Sequence, residues 1–423
     1  MRKLAIVGTG IAGLGCAHFL HSHFDLSLFE QNDYAGGHTH TLSAQEEGRT
    51  VFADSGFMVY NEVTYPNLTR LFRELDVPTQ PTSMSFSVQH LPTGLEYCGS
   101  SFSQLFAQRK NLLNWRFIRL LRSIGRFNEE AEEALRNPRF ENYTLQEFVE
   151  EKGYGKDFFD LYLSPMSSAV WSTPPDKMEE FPALTLLRFF HNHGFLGMYT
   201  QHPWRTVTGG AHTYVKKMAV TFLDRLNLNQ KVQGIQREKG KVRVMCEGGK
   251  SEFFDHVILA CHADQALKLL KDPTEEEKKL LSPFRYQKNP TIFHTDESVM
   301  PRNKRAWASW NYRIEEGASG ETLPSTHYWM NSLQGVSDRA NYFISLNDPG
   351  RVCPEKILKA LEYEHPLFDR AAIEAQKTLP SLNQISDNQT TFFCGSYFKY
   401  GFHEDAFTSA LELCRILLKK SIW

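Results

Sequence analysis

The chain carries almost no net charge. Its 47 Lys and Arg against 49 Asp and Glu leave −2 over 423 residues. That balance offers no basic stripe for a phosphate backbone, so no nucleic-acid partner is expected. Cysteine is sparse and odd in number, at seven, with no C-x-x-C pair. A disulfide framework and a zinc site are therefore not expected, and a reducing, cytoplasmic setting is. No apolar run reaches the about 20 residues that cross a bilayer. The first apolar strand begins at Leu4, which leaves no room for a signal peptide. His18, His21 and His23, like His191 and His193, have no carboxylates at ligand spacing, so no metal is expected.

What is present allows a large interior: 41% apolar residues and 31 Phe. The length exceeds one ordinary core and predicts two or three interleaved units. The chain opens with a short apolar strand, Leu4 to Val7, and the turn Gly8-Thr9-Gly10-Ile11-Ala12-Gly13. A helix follows, Leu14 to Leu20. Strand, G-x-G-x-x-G turn and helix form a dinucleotide cradle. The first glycine turns the chain, the second lets a pyrophosphate approach the backbone, and the third lets helix and strand pack closely. A second strand, Asp25 to Glu30, places a carboxylate about 20 residues after the first glycine, the spacing of an acid that binds ribose hydroxyls. That acid disfavours a 2′-phosphate, so a phosphorylated nicotinamide is not expected here.

Gln31 is followed by Gly36-Gly37-His38-Thr39, and a later stretch reads Asp54-Ser55-Gly56-Phe57. Trp204 to Met218 reads as a strand, a glycine pair and a helix. A strand carrying Val232, the strand Val257-Ile258-Leu259-Ala260, and the C-terminal run Gly395-Ser396 to Phe402-His403-Glu404-Asp405-Ala406 come after it. In this order the elements resemble the superfamily of flavin amine oxidases, phytoene desaturases and protoporphyrinogen oxidases. The resemblance implies non-covalent FAD, because no cysteine stands between Ser396 and Tyr400. It implies contacts from Gly8 to Gly13, Glu30, Gln31, Gly36 to Thr39, Gly56, Phe57, Val232, Ala260, Gly395, Ser396 and Phe402 to Asp405. Three positions depart from the pattern: His38 stands for an arginine, Ser396 for an acid, and Ala406 for a glycine. The wording GGHTHT, DSGFMVYN, HTDESVMP, WASWNY and GFHED resembles bacterial flavoproteins found beside cyclopropane-fatty-acid synthases. That finer likeness implies a fatty-acyl substrate and a lipid-modifying enzyme as partner.

The expected fold is α/β: a Rossmann-type FAD domain built from residues 1–83, 204–280 and 386–423. Residues 84–203 form a helical insertion with part of the substrate domain, and 281–385 form an antiparallel substrate sheet. Arg109 to Arg126 reads as a basic amphipathic helix, which suits either an ordinary surface helix or peripheral membrane contact. Phe189, Phe190, His191, His193, Phe195 and Tyr199 suit either a core or the lining of an apolar cavity. Lys288 holds, by order along the chain, the place of a lysine near flavin N5 in amine oxidases. With His294, Asp296 and Trp310 it is a catalytic candidate. The expected reaction is hydride transfer from an apolar substrate carbon to flavin N5. Amine oxidation with peroxide release, and a non-catalytic flavoprotein, are the alternatives.

Overall fold

The computed structural model describes residues 1–197, 200–384 and 389–423. Tyr199 and the expected boundary between 385 and 386 lie outside the described residues.

A five-stranded parallel sheet has the order Leu226–Asn227, Asp25–Phe29, Lys3–Val7, His256–Leu259, Thr391–Phe393. Its strands come from three well-separated stretches of chain. Lys3–Val7 is central, and Leu4, Ala5 and Ile6 are fully buried. A strand covered on both faces has no solvent side, which is why Leu4 to Val7 shows no alternation. Helices Ile11–Leu20 and His403–Leu418 pack together across one face. A Cβ at Gly15 would stand 3.0 Å from the Phe407 ring, so this crossing needs glycine. A small antiparallel sheet, Val232–Glu238, Lys241–Cys246 and Ser251–Phe254, accompanies it.

A seven-stranded sheet has the order Ile357–Leu367, Arg285–His294, Phe343–Leu346, Thr322–Trp329, Trp310–Glu316, Phe86–His90, Leu95–Cys98. It is mixed, because Trp310–Glu316 pairs in parallel with Phe86–His90. Residues 84–99 thus belong to this sheet rather than to the helices that follow. The 11-residue edge strand Ile357–Leu367 was not apparent from the sequence pattern.

The helical layer lies beyond Cys98. Its longest helix is Trp115–Arg136, capped by Asn114, whose side chain accepts the Arg116 and Phe117 backbone N–H groups. The helix starts at Trp115 rather than Arg109, and Phe117, Leu120 and Phe127 are its buried face. Among the described residues no helix is long and apolar enough to cross a membrane.

Candidate functional site

The carboxyl ends of the parallel strands meet at the first glycine turn, where open α/β sheets bind ligands. Gly8 has φ +98°, and a Cβ there would stand 2.8 Å from the Ala260 carbonyl oxygen. A Cβ at Gly13 would stand 2.0 Å from the Gly8 oxygen. Gly10 differs: a side chain there would meet nothing within 4 Å. Gly10 is the N-cap of Ile11–Leu20 and offers no side-chain cap. The first N–H groups of the helix therefore face open space, as an anion site requires. Ile11 and Ala12 bury their side chains in the core, leaving their backbone to face the turn. The Gly36 N–H donates to the Thr9 oxygen at 2.9 Å, which seats the second glycine pair against the first turn.

Glu30 is buried beside that turn. Its Oε2 accepts the Thr9 N–H at 3.1 Å and the Thr9 hydroxyl at 2.6 Å. Its Oε1 accepts the Asn32 N–H at 3.0 Å and the Asn32 side-chain amide at 2.9 Å. Two of these donors are fixed backbone. The other two rotate, so the carboxylate can exchange them for ribose hydroxyls. Gln31 is exposed. Val232 is buried and sits at a bulge, where pairing with the neighbouring strand slips before Gly234.

The far end of the site is the N-terminus of His403–Leu418. The His403 ring stacks on Phe57, with centroids 3.9 Å apart and planes at 12°. The Tyr214 hydroxyl lies 2.6 Å from His403 Nε2 and 2.6 Å from the Thr39 hydroxyl. Burial pushes His403 down to about 3, so it is neutral. Glu404 and Asp405 have carboxylates already engaged. Glu404 accepts the Asn67 and Leu68 N–H groups, both at 2.9 Å, and so caps helix Pro66–Glu74. Asp405 accepts the Phe402 N–H at 3.0 Å, and burial raises it to about 7. What this segment offers a ligand is helix N–H groups, not the two carboxylates. A Cβ at Gly395 would stand 2.6 Å from the Tyr397 ring, and Ser396 opens the short turn Ser396–Phe398. A Cβ at Gly56 would stand 2.2 Å from the His38 oxygen.

Between these ends lies a group of aromatic rings. His38 lies 5.0 Å from Tyr363, 5.2 Å from His365 and 6.3 Å from His262, centroid to centroid. Burial, then the neighbouring histidines, hold His38 well below its usual range. Its Nε2 is buried without a partner, as is the Tyr397 hydroxyl, while His262 Nδ1 faces Glu364 Oε2 at 3.5 Å. Buried polar atoms are ordinarily paired, and a set of orphans in one region marks where a ligand supplies the partners. Tyr363, His365, His262 and Tyr214 were not singled out by the sequence. The only signal was Tyr363-x-His365, two residues apart on a strand and thus on one face.

The catalytic candidates are dispersed. Lys288 is on the outer face of Arg285–His294, its side chain 66% exposed and paired with Glu362 at 2.7 Å. The inward residue is its neighbour Asn289, fully buried and 2.9 Å from His365 Nδ1. His294 lies six residues further along the strand, about 20 Å from Lys288 at the usual strand rise. Its Nε2 is 2.6 Å from the Ser345 hydroxyl, which is also 2.6 Å from His327 Nδ1. Asp296 accepts the Ser298 and Cys353 N–H groups and the Lys356 ammonium. His294 and Asp296 thus hold sheet and loop together. Trp310 is half-buried, edge-on to Tyr328 at 4.7 Å, with an unpartnered buried Nε1.

Phe189, His193 and Trp204 form an aromatic stack continued by Phe402. Phe189 and Phe402 are 4.9 Å apart, Phe189 and His193 3.9 Å, and His193 and Trp204 6.2 Å. Burial lowers His193 to about 4, so the stack carries no charge. It joins the residue 189–195 segment to the residue that caps the last helix. His191 is outside it, on the surface near Glu132.

The profile of flavin containing amine oxidoreductases matches residues 11–351. A 1-hydroxycarotenoid 3,4-desaturase of Flavobacterium sp. (strain P99-3) is 25% identical over 407 residues, covering 83% of this chain and 77% of that protein. Cyclohexylamine oxidase from Brevibacterium oxydans superposes with a TM-score of 0.68 at 15% identity, covering 99% of this chain and 100% of that one. A conjugated-linoleic-acid-producing (CLA) fatty acid isomerase from P. acnes superposes with a TM-score of 0.66 at 14% identity, covering 99% and 98%. At these identities the two structures speak for the fold alone.

Proposed function

The chain belongs to the flavin containing amine oxidoreductase family, and on that premise we propose that it is an FAD-dependent oxidoreductase acting on an apolar, fatty-acyl-type lipid, with the flavin held non-covalently. The observation that carries the cofactor reading is the open volume at Gly10, bounded by helix N–H groups and walled by Gly36-Gly37. The residues present fit a dinucleotide. The N-terminus of Ile11–Leu20 holds the diphosphate, and Glu30 takes the ribose hydroxyls. His38 supplies its unpartnered Nε2, and the N-terminus of His403–Leu418 holds negative charge at the ring end. When bound, the flavin supplies the two-electron acceptor for a hydride leaving a substrate carbon. Asn289 and His365 provide hydrogen-bonding groups on the inner face of the sheet, and no exposed lysine is needed.

The uncharged stack of Phe189, His193, Trp204 and Phe402 supports an apolar substrate, as does the likeness to a carotenoid desaturase. Each buried methylene contributes about 0.8 kcal/mol, against about 0.5–2 kcal/mol for one cation–aromatic contact. A long acyl chain would therefore gain more from an apolar aromatic lining than an ammonium head would. The resemblance to flavoproteins found beside cyclopropane-fatty-acid synthases supports an acyl-modifying enzyme as partner. Amine oxidation is the second reading, favoured by the family's own description. The test is anaerobic bleaching of the bound flavin by a series of acyl compounds and a panel of amines. Affinity that rises with chain length supports the lipid reading. A flat response with tight binding of short amines reverses it. Heat should release FAD; release of FMN, or flavin retained by denatured protein, contradicts the cofactor reading.

A further inference from the structure

Four large apolar side chains that the fold leaves in water lie close together along the chain. Phe102, Leu112, Leu113 and Trp115 are 68%, 46%, 94% and 64% exposed, all within 14 residues. They sit on the loop that enters helix Trp115–Arg136 and on its first turn, while Phe117 and Leu120 of the same helix turn inward. Leu112, Leu113 and Trp115 surround the capping residue Asn114, so the backbone that carries them is fixed.

Along the chain, the charge around this tip has one sign. Residues 97–128 contain Arg109, Lys110, Arg116, Arg119, Arg122 and Arg126 and no Asp or Glu, in a chain whose overall charge is −2. Arg116 is tied to Asp157 and Arg126 to Glu130. Among the described residues, Arg109, Lys110, Arg119 and Arg122 take part in no ion pair. Trp115, Arg119 and Arg122 are spaced i, i+4 and i+7, on one helix face. The Arg122 guanidinium lies 5.0 Å over the Trp115 ring. Leucine tips, an aromatic ring at their base and a collar of cations form the arrangement that enters a lipid interface: apolar groups below the headgroups, cations at the phosphates.

We propose that Phe102 to Arg122 is a docking surface for an anionic lipid bilayer, with Leu112, Leu113, Trp115 and Phe102 entering the interface and Arg109, Lys110, Arg119 and Arg122 facing lipid phosphates. Charge complementarity selects this occupant. A second copy meeting the same patch about a two-fold axis would set four unpaired cations against four. A polyanion without an apolar phase would leave Leu113 and Trp115 in water. The surface is independent of the substrate reading, since it rests on none of the residues placed at the cofactor cradle.

The test is co-sedimentation of the full-length, flavin-loaded protein with vesicles of phosphatidylcholine alone or mixed with phosphatidylglycerol. Binding is expected to the mixed vesicles and to weaken at least about tenfold when salt rises from 0.1 to 0.5 M. The doubles Leu113→Asp/Trp115→Asp and Arg119→Glu/Arg122→Glu should each lower the partition coefficient about tenfold or more. Their flavin content and circular dichroism should match the original protein, because all four side chains are exposed. No binding to mixed vesicles overturns the proposal. So does binding by both doubles that equals that of the original protein, or a fall in oligomer size in the Leu113→Asp/Trp115→Asp protein, which would make a second copy the occupant. The salt series on the unaltered protein decides the matter even if a variant misfolds.

Discussion

A Cβ on Gly37 would stand 3.0 Å from the Cα of Gly10, with φ at Gly37 of +58°. Two glycine turns more than 20 residues apart therefore touch backbone to backbone, while the other side of Gly10 is open.

That asymmetry predicts a clean separation of folding from binding. Gly10→Val should yield folded, colourless protein, because its side chain meets no protein atom yet fills the cradle. Flavin absorbance and circular dichroism of the purified variant check this. A folded variant with full flavin content would remove the diphosphate from Gly10.

Glu30→Ala should weaken the flavin without abolishing it. The cradle remains, but the ribose contacts go, and Thr9 loses the acceptor of its hydroxyl and N–H. Hydrogen bonds to a charged group contribute about 1.5–3 kcal/mol, which corresponds to a roughly tenfold to hundredfold rise in dissociation constant. Titration of flavin-free protein, followed by fluorescence, measures it. An unchanged constant would show that the carboxylate serves only Thr9 and Asn32.

Lys288 and Asn289 should behave oppositely. Lys288→Ala removes an exposed side chain and its ion pair with Glu362, and the rate of flavin reduction should be unchanged. Asn289→Leu leaves the partly buried side chains of His365 and Asn347 without that partner, at most about 1–3 kcal/mol for each unmet group. A lowered melting temperature and a shifted flavin spectrum are expected. Loss of reduction in Lys288→Ala with normal flavin content would restore the lysine to the reaction.

Stability should fall in mild acid. His193, His294 and His365 are lowered to about 4, His403 to about 3, and His38 and His327 well below their usual range, each first by burial. The unfolded chain takes up these protons below about 6.5 while the folded chain does not, so stability is lost as pH falls from 6.5 towards 4. Asp405 and Asp54, raised to about 7 and about 6, act in the opposite direction over the same range. Six groups against two make the net change a loss. Urea midpoints at pH 6.5, 5.5 and 4.5 should decrease in that order; a flat or rising series would mean that the imidazoles are accessible to protons in the fold.

The features of the candidate site that are legible in the sequence are those made by backbone. Gly8, Gly10 and Gly13 act through local turn geometry and the absence of a side chain, and both are visible in a string of letters. Misplaced residues are those whose role depends on strand phase or on partners far along the chain. Lys288 and Asn289 are neighbours, yet a period of two puts one in water and the other against His365. The strand Ile357–Leu367 was missed because it is an edge, with its first four residues exposed, so burial did not stamp an alternation on it. Glu404 and Asp405 are among the contacts that the resemblance implies, at a helix N-terminus facing the flavin ring. In the fold their carboxylates close Pro66–Glu74 and their own N-cap.

By itself, the sequence determined the α/β class, the strand–glycine-turn–helix run at Gly8 to Gly13 and the carboxylate of Glu30 just after the second strand, because each depends on residues near one another in the chain. Only the tertiary structure decided that His38 meets Tyr363 and His365, that Tyr214 meets His403, and that Asn289 faces inward. Those contacts span 76 to 327 residues of sequence separation or turn on a one-residue register. Their energy comes from desolvation and hydrogen bonding among groups that share no local pattern.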